Sequence, residues 1–156
     1  MSDLASGLKA ALRRDLTESI RSRDAVRSST LRMALTAVTN AEVAGRAQRE
    51  LGDDEVLAVV AKEAKRRKEA SAAYTEAGRP ELAAAEDAEL QVLQGYLPEQ
   101  LDDAELDRMA SEAAAEVGAT GMAQMGQVMK LVQPKVAGRA EGGRVAAAVK
   151  RALNSR

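Results

Sequence analysis

Apolar residues recur along this chain at intervals of three and four, the spacing that lays one stripe along a helix. Leu4, Leu8, Leu12, Leu16 and Ile20 mark a first helix from about Asp3 to Ser22, its seam drifting slowly around the axis. A second opens at Asp24, a good N-cap residue. It turns Leu31, Leu35, Val38 and Ala41, or Ala34 and Ala37, inward and frays near Gly45. The linker GRAQRELG leads to a third helix from about Asp53 to Ala77, with Val56, Val60, Ala64, Arg67 and Tyr74 along one side and Gly78 in a C-cap position. Pro80 starts a fourth. This one buries Leu82, Leu90, Leu93 and Leu97 and stops before Pro98, because the residue ahead of a proline is pushed out of the helical region.

Pro98 is where the pattern places a domain boundary. Beyond it, Asp102 and Glu105 form a capping box that opens a fifth helix with Leu106, Met109, Ala110, Ala113 and Val117 on one face, closed by Gly118. Thr120 is the expected cap of a sixth, in which Met125, Val128, Met129 and Val132 recur at helical spacing until Pro134 breaks it. KVAGRAEGG reads as a turn, and a last helix from about Gly142 to Asn154 presents Val145, Val149 and Leu153. The expectation is an all-α protein: an N-terminal domain of about four helices over residues 1–97, then a small C-terminal three-helix domain over residues 98–156.

Composition supports that class. The 46% hydrophobic content contains no Phe and no Trp, only Tyr74 and Tyr96, so the core is aliphatic and lacks the aromatic supply a sheet favours. The chain has no Cys, which excludes disulfides, thiolate nucleophiles and Cys-ligated metals. It has no His either, removing the commonest general base. No apolar run of about eighteen residues is present to span a bilayer, and MSDLASGLKA lacks the apolar centre of a signal peptide. The chain therefore reads as soluble, cytoplasmic and without a membrane partner.

Formal charge refines the picture. The net charge of −1 hides an acidic centre and basic ends. Residues 80–121 carry eleven Asp/Glu against Arg108 alone, whereas the last thirty-five residues carry seven Lys/Arg against Glu141 alone. One reading is that these regions attract one another within the fold or between protomers. The other is that the basic end meets a polyanion, with Lys130, Lys135, Arg139, Arg144, Lys150 and Arg151 as the candidate phosphate contacts.

Other chemical signals are weaker. Asp53, Asp54 and Glu55 sit where a helix N-terminus favours acids. Glu86 and Glu89 share a helical side but lack the His that would make a metal motif, so no metal site is expected. Gly138 and Gly143 have Walker A spacing, yet Arg144 replaces the Lys, Val145 replaces the Ser or Thr, and no strand precedes them. A helix-to-helix turn is the better reading, with helix-start amides facing an RNA phosphate as a milder one. Lys62, Lys65, Arg66, Arg67 and Lys68 are interleaved with Glu63 and Glu69, as on a solvated, ion-paired helix. Met122, Met125 and Met129 share a helical face and read as core before partner groove. Both tyrosines read as packing residues.

STLRMALTAVTNAEV, DDEVLAVVAKEAKRRKEASAAY, GRPELAAAEDAELQVLQGYLPEQL and MGQVMKLVQPKVAGRA together resemble the GatB/YqeY family, in its stand-alone YqeY-like form, over nearly the whole chain from about Leu4 to Leu153. The resemblance implies an all-helical protein whose C-terminal part is similar to the tail of the B subunit of the glutamyl/aspartyl-tRNA amidotransferase, an accessory that helps hold tRNA. Carbon–nitrogen ligase activity with glutamine as amide donor is implied by kinship alone. Neither the amidase subunit's Ser-Ser-Lys apparatus nor the B subunit's phosphorylating core is present: Ser28 and Ser29 lie on an amphipathic helix without a glycine-rich surround. The turn often read as Ala-Asp-Gly in the family is Ala140, Glu141, Gly142 here. The expected function is a non-catalytic tRNA- or RNA-associated module with no cofactor and no catalytic residue. The alternative is a protein-interaction adaptor, engaging a partner or a second copy through its acidic central helices and its tail.

Overall fold

The computed structural model describes residues 7–45, 47–137 and 139–156. Among them there are seven α-helices and no strand, so the protein is all-α: α1 Leu8–Arg21, α2 Ala25–Val43, α3 Asp53–Glu76, α4 Pro80–Gln94, α5 Asp103–Glu116, α6 Met125–Val136 and α7 Gly142–Asn154. The contacts group into two compact units, one ending at Leu97 and one running from Pro98 to Arg156.

In the first unit Leu12, Leu31, Val38, Val56, Val60 and Leu93 are wholly buried. Asp24 caps α2 by accepting the Arg27 N–H at 3.1 Å. Gly78 ends α3 with φ +74°, the left-handed turn that glycine adopts without a Cβ clash. The expected seam of α1 holds only in part. Leu12 is fully buried and Leu8 and Leu16 partly so, but Ile20 is half exposed. A strict four-residue repeat advances about 40° per step on a helix of 3.6 residues per turn, so five positions cannot all face one core. The expected start of this helix, Asp3 and Leu4 included, lies outside the described residues.

Polar groups also hold this unit together. Lys9 reaches both Glu42 oxygens, at 2.7 and 2.9 Å, and Glu42 also accepts the Leu51 N–H at 3.1 Å, pinning the segment between α2 and α3. Lys9 holds the Glu42 carboxyl below the usual carboxylate range. Arg67, buried as its spacing suggests, pairs with Glu63 at 3.1 Å and lies 3.2 Å from Glu89. Tyr96 is more than a packing residue: its hydroxyl donates to Asp15 and accepts from Arg27 at 3.1 Å, joining α1, α2 and the turn after α4. Burial and the Asp15 hydrogen bond push its pKa up.

The second unit is built around Leu106, Ala110, Ala114, Val128, Val132, Val145, Val149 and Leu153, all at most 2% exposed. Asp102 and Glu105 form the expected capping box, with the Glu105 N–H on Asp102 Oδ1 at 2.8 Å and the Asp102 N–H on Glu105 Oε2 at 3.1 Å. Gly118, at φ +65°, closes α5.

Two boundaries differ from expectation. Thr120 does not cap the sixth helix with its side chain. The chain enters α6 through a short 3₁₀ turn, Met122–Gln124, and Gln124 Oε1 reaches back to the Thr120 and Gly121 N–H groups, both at 3.2 Å. Pro134 does not end α6, which continues to Val136. A proline so close to a C-terminus removes a single helical hydrogen bond, and the burial of Val132 and Val136 on either side of it holds the last turn.

Candidate nucleic-acid interface

The six cations singled out by sequence lie on α6, on α7 and between them, and they fall into two groups with Arg139 apart from both. α7 places Arg144 and Arg151 two turns apart on one flank, and α5 places Asp103 and Asp107 one turn apart. Arg144 donates to Asp103 Oδ1 at 2.9 Å and to the Leu101 carbonyl at 2.8 Å. Arg151 donates to Asp107 Oδ1 at 2.7 and 3.0 Å. The residues pair in ascending order, so α5 and α7 run the same way. The Arg144 guanidinium holds the Asp103 carboxyl below its ordinary range.

Arg139 has a third role. Its backbone carbonyl accepts the Leu101 N–H at 2.8 Å and its Nε donates to the Glu99 carbonyl at 3.2 Å. Arg139 and Arg144 thus hold the 99–101 segment beside the start of α7. A neutral carbonyl does not cancel a guanidinium charge, so Arg139 keeps its cationic character, whereas Arg144 and Arg151 face carboxylates.

Lys130, Lys135 and Lys150 form the other group. All three are exposed and make no ion pair among the described residues. Lys150 sits on the flank of α7 away from the row of Arg144 and Arg151, by helical spacing. Lys130 lies on the side of α6 opposite Val128, Val132 and Val136, and Lys135 nearer the edge of that buried stripe.

The acidic partners are what the candidate list lacked. Asp103 and Asp107 belong to the acidic centre, and with them the second unit carries eight Lys/Arg and eight Asp/Glu, a formal charge of zero over residues 98–156. The signal was there in the opposite segment charges and in the one-turn spacing of the two aspartates. Gly138, part of the Walker-like spacing, lies outside the described residues. At the other end of that spacing, Gly143 and Arg144 fall in the first turn of α7.

Elsewhere, three of the five carboxylates weighed for other chemistry, Asp53, Glu55 and Glu89, have structural partners. Asp53 accepts the Leu8 N–H at 3.0 Å and so caps α1, while Arg49 and the Gly52 N–H bring Glu55 down to about 2. Glu89 faces Arg67. Among the described residues no group of three or more acidic, His or Cys side chains could hold a metal ion, and no helix is long and apolar enough to cross a membrane. A cleft of about 370 Å³ opens beside α1 and the start of α3, lined by Lys9 and Arg13 against Glu50 and Asp53. Lys9 in this cleft is committed to Glu42.

Two all-helical units, the second built on an α5–α7 pair with the MGQVMK and PKVAGRA segments at α6 and its following turn, define the class of protein. The chain matches the Yqey-like protein family over residues 9–153 and belongs to that family. It is also similar to a protein of Schizosaccharomyces pombe (strain 972 / ATCC 24843) named Uncharacterized protein C22F3.15. The two are 34% identical over 93 residues, a stretch covering 59% of this chain and 73% of the relative.

Proposed function

We propose that this YqeY-like protein is a non-catalytic RNA-associated accessory module, tRNA being the first candidate ligand, whose phosphate contacts come from Lys130, Lys135, Lys150 and Arg139. The observation that carries the reading is the exposure of the three lysines, which make no ion pair among the described residues. An ammonium held near carboxylates has little left to offer a phosphate, whereas one facing solvent releases a counterion when it binds. Arg144 and Arg151 serve the α5–α7 pairing first and contribute less to phosphate. The resemblance of the C-terminal part to the amidotransferase tail favours an RNA ligand, and the zero formal charge of the second unit points to modest affinity.

That same neutrality favours a second reading, a protein-interaction adaptor, in which Met122, 44% exposed at the entry to α6, lies at the contact. Titration of labelled bulk tRNA with the full chain over a salt series separates the two. The RNA module gives a log–log slope of about −3 for four contacts at roughly 0.7 each on a flexible site. It weakens markedly in K130Q/K135Q/K150Q and only slightly in R151Q. Absent binding, or binding insensitive to the three lysines, leaves the adaptor.

A further inference from the structure

α2 is the central helix of its unit, with α1, α3 and α4 all packed against it. Those neighbours cover the side carrying Leu31, Ala34 and Val38. The opposite side carries Val26, Ser29, Met33, Thr36, Asn40 and Val43, all of them exposed, although the Met33 sulfur also accepts from Arg67 Nη2 of α3 at 3.5 Å. Val26, Met33 and Val43, at 45%, 47% and 51%, are three of the five large hydrophobics exposed to this degree among the described residues. None of the six is charged, in a chain where 30% of residues are. A helix with one wet face ordinarily carries its charges there. α1 does so with Arg13, Arg14 and Arg21, and α3 with Lys62, Lys65 and Lys68, all exposed. α2 instead has Arg32 as the one charge among its exposed positions and places three large apolar side chains there.

The six positions are spaced three, four, three, four and three apart, the a and d spacing of a two-helix seam. We infer that this face is an interface with a second copy of the chain, the two α2 helices lying antiparallel about a twofold axis between Met33 and Thr36. The stripe is complementary to itself in that arrangement. Val26 meets Val43, Ser29 meets Asn40, and Met33 meets Thr36, each contact made twice, as an isologous interface requires. Asn40 distinguishes this occupant from an apolar partner helix. Its amide meets the Ser29 hydroxyl of the other copy, whereas an apolar neighbour would leave that amide desolvated and unpaired. Arg32, the one charged residue among the exposed positions of α2, falls nearest Ala37 of the other copy, so the two Arg32 side chains do not face one another.

The stripe is roughly 26 Å long at about 1.5 Å per residue and one helix wide. It buries less than the ~1,200 Å² at which stable complexes begin, so the dimer is weak and the chain is monomeric when dilute.

Sedimentation velocity on the full chain from about 10 μM to about 1 mM tests this. The weight-average mass should rise with concentration from the 16.5 kDa monomer toward twice that value. S29E and N40K should each move the rise to about tenfold higher concentration. S29E/N40K should bring it back, because only the antiparallel register sets opposite charges at positions 29 and 40 of the two copies. Both positions are exposed, and far-ultraviolet circular dichroism verifies that each variant is folded. The inference is overturned by a monomer at every concentration, which would leave the face to a protein of different sequence. A dimer indifferent to the single changes, or one that the double change does not restore, overturns it equally.

Discussion

Arg67 is the residue whose replacement most directly measures what holds α2, α3 and α4 together, since it reaches Glu63 on α3, Glu89 on α4 and the Met33 sulfur on α2. Its side chain is 7% exposed, that of Glu63 is 8% and that of Glu89 is 25%. Breaking a buried ion pair costs about 3–5 kcal/mol, because the carboxylate left behind stays desolvated. Two features lower that figure here. Glu63 keeps Arg66 at 3.2 Å, although Arg66 is mostly exposed, and Glu89 is open enough to rehydrate. The Arg67 Nε also lies 3.2 Å from Glu89 without hydrogen-bond geometry, so that contact is Coulombic only. R67M, which keeps most of the volume, should therefore cost about 2–4 kcal/mol. With a mid-range urea slope of about 2 kcal/mol per molar, the unfolding midpoint should fall by about 1–2 M. R67M/E63L should recover most of the loss, since apolar groups of similar size replace a buried pair at little cost. Urea titrations followed by circular dichroism read both variants. A cost below about 1 kcal/mol for R67M, or a double variant no better than the single, refutes the assignment of a desolvated pair.

Four further outcomes follow from the same geometry. Glu42 has a folded-state pKa below its ordinary value of 4.5, so its contribution is complete above that value and is lost as pH falls through the lower folded one. Stability measured from pH 6 to pH 2.5 should therefore drop more gently in E42Q than in the parent, and equal slopes would count against the Lys9–Glu42 contact. Removing the cap in D102A should cost about 1 kcal/mol in thermal unfolding, with no change expected if the Glu105 N–H finds water instead. G78A should cost roughly 1–2 kcal/mol because φ is +74° there. G126A, inside α6 with open space around the added methyl, should gain about 0.5–1 kcal/mol. Opposite signs in one chemical-denaturation series are the expected result.

The helices were legible because their signals are local. An Asp24 side chain three residues from the N–H it accepts, an Asp102–Glu105 box, and Gly78 and Gly118 beyond the ends of α3 and α5 all act within one turn. What could not be read is what depends on residues far apart in sequence. Tyr96 reads as apolar packing until Asp15, 81 positions away, and Arg27, 69 positions away, are set beside its hydroxyl. The course of the chain through Pro134 depends on the valines on either side being buried. Ile20 shows the same dependence in reverse: its spacing fits the seam, but the seam turns away from the core before reaching it.

Charge tested sequence reasoning hardest, because a segment's sum says nothing about which charges face one another. Residues 122–156 are strongly basic, yet the acids from Glu99 to Glu116 fold into the same unit and bring its formal charge to zero. Asp103 and Asp107 take the two arginines of α7, and the Leu101 carbonyl takes part of one. Such half-exposed pairs add little to stability, commonly under about 1 kcal/mol, so their main consequence is to decide which cations remain. Six candidates reduce to three exposed lysines and an arginine whose partner is a neutral carbonyl. That reduction lowers the expected salt slope from about −4 for six contacts to about −3 for four. The slope therefore tests the fold's charge pairing as well as the ligand. A slope near −4, with R144Q and R151Q each removing about one contact, would mean that the α5–α7 pairs open when RNA binds.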